Sequence, residues 1–192
     1  MENLGYYNGK FGPLNEMSIP MNDRVHWFGD GVYDAGPARN YKIFAIDEHI
    51  DRFFNSAELL EIEMPCTKQE LKDLLNKLVK KVDTGSQFVY YQVTRGTGIR
   101  DHAFTEGPGN LWVMLKPATI SDGIEPIKLI TEPDTRFFHC NIKTLNLIRI
   151  GRFLLGQRGD RKRMIHDKGR LDQFFLTVLL EEQVDDIALS MT

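Results

Sequence analysis

Apolar and polar positions alternate with two different periods along this chain, and the change of period marks out its elements. Near the start, "YYNGKFG" sets an Asn-Gly pair between aromatic residues, the two-residue signal of a tight hairpin. "GVYDAGPARNYKIFAID" predicts a second strand pair turning near Asn40 to Lys42. The period then lengthens. Ile50, Phe53, Phe54, Ala57 and Leu60 fall at helical spacing, with Asp47 placed to cap the helix. A second helix opens on "TKQE", a capping box of Thr67 and Glu70, and carries Leu71, Leu74, Leu75, Leu78 and Val82 on one stripe. Strand-like runs return at Gln87 to Gly96, Asn110 to Lys116 and Pro126 to Thr131, separated by Gly and Pro. Strands, two helices and strands again predict an α+β fold with an antiparallel sheet rather than alternating βαβ units.

One position breaks the pattern. In "CNIKTLNLI", residues 140 to 148, Lys143 shares its strand face with Leu145 and Leu147, the apolar side. Either the segment is not a simple strand, or this lysine points into a partly dry place where a buried amine serves chemistry. The alternative is an ammonium reaching water from a strand end.

Composition narrows the classes. The chain has 192 residues, 42% of them hydrophobic and 10% aromatic, enough for a sizeable core. A formal charge of -3 gives no global attraction to nucleic acid or an anionic membrane. "MENLGYYNGKFG" lacks a signal-peptide pattern, and no apolar run approaches the ~18 residues of a membrane span, so a cytoplasmic protein is expected. Cys66 and Cys140 are too few for a disulfide framework, and the five histidines show no i, i+4 pairing, so no metal site is expected. "RGTGIRD" and "FGDGVYDAG" both miss the third glycine of a dinucleotide loop, and neither a GxSxG elbow nor an HExxH helix is present.

Several polar groups sit at the edges of apolar segments. Arg52 in "DEHIDRFF" has the fork geometry that suits a phosphate, although an arginine there is ordinarily solvated or paired with an acid such as Glu48. Arg100 and His102 occupy alternate positions of a glycine-loosened loop, an arrangement suited to a carboxylate ligand and equally that of a plain surface loop. Tyr33 in "GDGVYD" reads on its own as a core tyrosine with a satisfied hydroxyl.

Together, "FGDGVYD", "DEHIDRF", "YYQVTRGTGIRDHAF" and "CNIKTLNL", in that order and spacing, resemble the class IV, fold type IV aminotransferases that use pyridoxal 5'-phosphate. The resemblance runs from about Tyr6 to Ile148, and the pair at Arg100 and His102 makes it most similar to D-amino acid aminotransferases. It implies that Lys143 forms the Schiff base with the cofactor aldehyde and then shuttles the proton between the amino acid Cα and the cofactor C4′. It implies that Arg52 binds the cofactor phosphate and that Tyr33 lies near the lysine and substrate. Arg100 and His102 would bind the substrate α-carboxylate from the neighbouring subunit, hence a homodimer. The implied reaction is amino-group transfer from a D-amino acid such as D-alanine to a 2-oxo acid. Branched-chain aminotransferase and aminodeoxychorismate lyase are the alternatives within the family.

After Ile148 the sequence departs from the family pattern. Between residues 149 and 172 it carries eight basic and three acidic residues, and the family's "TExSxSN"-like segment, with its pyridinium-pairing glutamate, is absent. The expected organisation is an N-terminal α+β domain over 1–120, the start of a second, incomplete cofactor-binding domain over 121–148, and an atypical tail over 149–192. A shifted reading frame or truncated gene is the expectation for that tail. A reading from another class makes the basic stretch 149–170 a non-catalytic surface for a polyanion or protein partner.

Overall fold

The computed structural model describes residues 1–120 and 142–146. The chain divides into two compact units, and the described residues fall almost wholly in the first, Met1–Ala118 with Ile142–Leu145. The strand expected at Pro126 to Thr131, Leu147 and the basic stretch 149–170 lie outside the described residues.

Strands β1 (Leu4–Tyr7), β2 (Lys10–Gly12), β3 (Gly31–Arg39), β4 (Lys42–Ile43), β5 (Gln87–Thr94) and β6 (Asn110–Pro117) form one antiparallel sheet in the order β2-β1-β6-β5-β3-β4. Both expected hairpins are present. Asn8 and Gly9 have φ of 42° and 91°, and Asn40 and Tyr41 have φ of 51° and 60°, the paired left-handed conformations that let a two-residue turn follow the twist of its strands.

Helices α2 (Ile46–Leu59) and α3 (Lys68–Leu78) cover one face of the sheet; a single turn, α1 (Val25–Phe28), precedes β3. Val32 and Ala38 of β3, Val89, Tyr91 and Val93 of β5, and Leu111, Val113 and Leu115 of β6 meet Ile50, Phe53 and Ala57 of α2 and Leu71, Leu75 and Leu78 of α3 in one buried core. Each buried Val, Leu, Ile or Phe among them contributes about 1.5–3 kcal/mol by leaving water, which is what holds two short helices on the sheet. The capping box forms as expected: the Glu70 backbone N–H donates to Thr67 Oγ1, and the Thr67 N–H to Glu70.

The cap expected at Asp47 does not form. Ala45 closes the connection from β4 in the left-handed region at φ 45°, α2 begins at Ile46, and Asp47 lies inside the first turn, where Lys72 Nζ donates to its carboxylate at 2.6 Å. An acid in the first turn still complements the helix dipole.

Candidate functional site

Lys143 lies along the edge of β3. Thr144 bridges Val32, the Tyr33 N–H donates to the Lys143 carbonyl at 3.0 Å, and the Leu145 N–H donates to the Gly31 carbonyl at 3.1 Å. These bonds pair residues 143 to 145 with the part of β3 that β4 leaves open, so the segment is a short edge addition to the sheet. With Thr144 opposite Val32 on the helix-covered face, alternation sends Lys143 and Leu145 to the other face. Lys143 Nζ accordingly stands 4.1 Å from the centre of the Tyr33 ring, a cation–π distance. Tyr33 stacks on Tyr90 at 5.5 Å, whose hydroxyl donates to Gln92 Oε1 at 2.7 Å. Gly31 allows this approach, because a Cβ there would lie 2.7 Å from Leu145 Cδ1 and 2.6 Å from the Val93 carbonyl oxygen.

A second group is built around Asp34, the next residue of β3 and fully buried. Arg52 donates to it through Nε at 2.7 Å and Nη2 at 2.8 Å, and His49 Nδ1 lies 2.8 Å from Oδ1. An ionised carboxylate only accepts, so Nδ1 carries the proton in this arrangement. Gly36 makes room for the imidazole: a Cβ on it would approach His49 Nε2 to 2.9 Å.

Burial alone would push the Asp34 carboxyl up, but the hydrogen bonds from His49 and Arg52, with their charges, outweigh it and hold it below the ordinary value. Arg52 is driven upward chiefly by its hydrogen bonds to Asp34, with burial opposing and with Tyr91 and Tyr33 adding Coulombic support. The pairing with Glu48 considered from sequence is thus replaced by one with a carboxylate 18 residues away, on a different element. The Arg52 side chain keeps 40% exposure, and its Nη1 makes no hydrogen bond among the described residues. The Lys143 N–H donates to Ser56 Oγ at 3.4 Å, and Ser56 follows Arg52 by one helical turn, about 6 Å along α2. The amine-bearing segment and the guanidinium are therefore registered on the same helix.

The loop after β5 carries Arg100 and His102, both exposed. Arg100 lies over the Phe28 ring at 5.3 Å and the His102 ring is 5.6 Å from that of Phe28, so the two expected carboxylate ligands do share one ring. Three residues around them were not singled out from sequence. Arg24 donates through Nε to Asp30 at 2.8 Å and through Nη1 to the carbonyls of Asp101 and Ala103 at 2.8 and 3.0 Å. Arg95 donates to the same Asp30 at 3.0 Å and to the carbonyls of Leu60 and Glu61. The available sequence signals were an aspartate between two glycines and an arginine directly after a strand.

The residues fit a phosphorylated aldehyde cofactor: a half-buried primary amine beside aromatic rings for the aldehyde, and an oriented guanidinium edge for the phosphate. Among the described residues no helix is long and apolar enough to cross a membrane.

Comparison with known proteins agrees. The family model for amino-transferase class IV matches residues 31–158. The chain is 32% identical over 147 residues to a D-alanine aminotransferase of Staphylococcus epidermidis, covering 74% of this chain and 52% of that protein. It is 36% identical over 147 residues to one of Listeria innocua, covering 73% and 51%, and 37% identical over 139 residues to one of Listeria monocytogenes, covering 69% and 48%. The chain thus spans about half the length of these curated relatives. Among solved structures it is similar to the branched-chain aminotransferase of the thermophilic archaeon Thermoproteus uzoniensis with norvaline, with a TM-score of 0.67, 14% identity and coverage of 86% of this chain and 60% of that one. The Escherichia coli branched-chain amino acid aminotransferase superposes with a TM-score of 0.66 at 15% identity, covering 88% and 59%. At such identities the superpositions speak for the fold. With the class IV model matching from the start of β3 to beyond the edge segment of Lys143, this chain belongs to the class IV aminotransferases.

Proposed function

We propose that this chain carries the catalytic lysine half of a pyridoxal 5'-phosphate-dependent aminotransferase that moves an amino group from a D-amino acid such as D-alanine to a 2-oxo acid. The observation that carries the reading is Lys143 Nζ over the Tyr33 ring, on a segment tied to the helix of Arg52. The relatives named D-alanine aminotransferase support the choice of substrate over a branched-chain one.

When bound, the cofactor supplies an electron sink for the charge left on Cα after deprotonation. In this reading the Lys143 amine would hold the cofactor aldehyde and, once released from it, would accept the proton from the substrate Cα at Nζ. Arg52 holds the phosphate through Nη1, and Asp34 and His49 fix the plane of its guanidinium so that only this edge turns outward. The Tyr33 ring, backed by Tyr90, restricts where the amine can go. Arg100 and His102 take the substrate carboxylate of the neighbouring subunit in a homodimer.

The test is pyruvate formation. The purified chain, supplied with pyridoxal phosphate, D-alanine and 2-oxoglutarate, is expected to release pyruvate, and L-alanine is expected to give none. Activity with L-leucine and none with D-alanine would replace the reading with the branched-chain one. No activity with either would refute it for this chain.

A further inference from the structure

Fifteen residues separate β5 from β6, Arg95 to Gly109, and they contain no helix or strand beyond the single bridge of Thr97 to Asp23. Ordering a backbone residue costs about 1–2 kcal/mol, so a loop of this kind keeps a defined path only where something grips it. The grip is visible. Arg24 is 2% exposed, and the two carbonyls that its Nη1 bonds belong to Asp101 and Ala103, the residues on either side of His102. The same guanidinium lies 4.8 Å from the centre of the Phe28 ring, around which Arg100 and His102 also gather. Its position is set by Asp30, which Arg95 shares, and Arg95 in turn bonds the carbonyls that end α2. Phe104 closes the set: it is 62% exposed, yet its ring faces the Arg95 guanidinium at 3.7 Å and that of Arg24 at 6.0 Å.

We infer that Arg24 is a positioning residue for anion recognition: held by Asp30, it clamps the backbone on both sides of His102, so that Arg100 and His102 meet a substrate carboxylate as one preformed pair. The inference rests on the carboxylate-binding reading of Arg100 and His102 above. Its chemistry is preorganisation. A contact made by two exposed side chains loses affinity to the entropy of ordering their backbone and aligning them, and a clamped backbone removes the first part of that loss. The cluster also ties the loop to the carbonyls that end α2.

The experiment compares Arg24→Lys, Phe28→Leu and Arg100→Leu with the parent chain by two readouts that need no turnover. One is amide hydrogen exchange over residues 99–105. The other is titration with propionate, followed by the fluorescence of Trp27, which packs on Phe28 at 6.4 Å. Lysine keeps a cation but, with one nitrogen, cannot hold Asp30 and both carbonyls at once as Nε and Nη1 do. Arg24→Lys and Phe28→Leu are expected to speed exchange and to weaken propionate binding about tenfold or more. Combining Arg24→Lys with Arg100→Leu is expected to cost less than the sum of the two single losses, because both act through the Arg100–His102 pair.

Additive losses, or unchanged binding in Arg24→Lys while Arg100→Leu loses it, would overturn the inference and leave the reading of Arg100 standing. Unchanged binding in Arg100→Leu, or no propionate binding by the parent chain, would remove that reading and this inference with it. If Arg24→Lys does not fold, Phe28→Leu, which keeps the buried ion cluster, decides by the same criteria.

Discussion

Two aspartates in this molecule gather arginines, Asp30 two and Asp34 one, and the contrast lies in how much of each guanidinium is left unspent. Asp30 sits between Arg24 and Arg95, at 9%, 2% and 5% exposure, and these guanidinium groups spend their other named hydrogen bonds on four backbone carbonyls. Asp34 grips one edge of Arg52 and leaves the rest at 40% exposure with Nη1 turned to no described partner. The first arrangement ties segments together. The second orients a cation and keeps half of its fork available, which is what an anion site requires.

Removing each carboxylate is the strongest way to break the comparison. Asp30→Ala leaves two buried guanidinium groups without an anion and is expected to cost about 3–5 kcal/mol, read from the midpoint of denaturant unfolding. Asp34→Ala is expected to cost less, about 1–3 kcal/mol, because Arg52 can return to water, and to weaken pyridoxal phosphate binding about tenfold, measured by equilibrium titration. Equal stability losses would mean that Arg52 is as structural as Arg24. Gly36→Ala sharpens the same point from the side of His49: the new Cβ forces the imidazole off Asp34, with an expected loss of about 1 kcal/mol and a smaller fall in cofactor affinity.

The smallest effect is one of pH. The folded-state pKa of Asp34 is lowered, so its contribution to stability is present above the unfolded carboxylate value of about 4 and is lost as pH falls through the lowered folded value. Thermal midpoints of the parent and Asp34→Asn are expected to converge as pH drops below about 4.

The local elements were legible because their signals are local. Asn8-Gly9 and Asn40-Tyr41 adopt the left-handed pairs that a two-residue turn needs, and the Thr67-Glu70 box closes within four residues. The cap at Asp47 failed because Ala45, a residue with no preference for the left-handed region, is held there by the connection from β4. The candidate site, Lys143 apart, stood out in the sequence only through a resemblance to a family. Nothing in "DEHIDRFF" shows that Arg52 reaches Asp34 rather than Glu48, since the partner stands on a strand and the choice follows from packing α2 on the sheet. Arg24 gave no local signal, and Arg95 only its place directly after a strand, for the same reason: each is a charged residue in a polar context along the chain, and only the meeting of α1, the end of β5 and the loop after it buries them. Lys143 broke its own local pattern, and that mismatch was the single site signal a lone stretch of sequence offered.

The most direct test of the account is to incubate the purified chain with pyridoxal phosphate, reduce with borohydride and locate the pyridoxyl group by peptide mass spectrometry. One dominant adduct is expected on Lys143, reduced by Arg52→Leu and abolished by Lys143→Ala. Labelling scattered over surface lysines, or unaffected by Lys143→Ala, would contradict it.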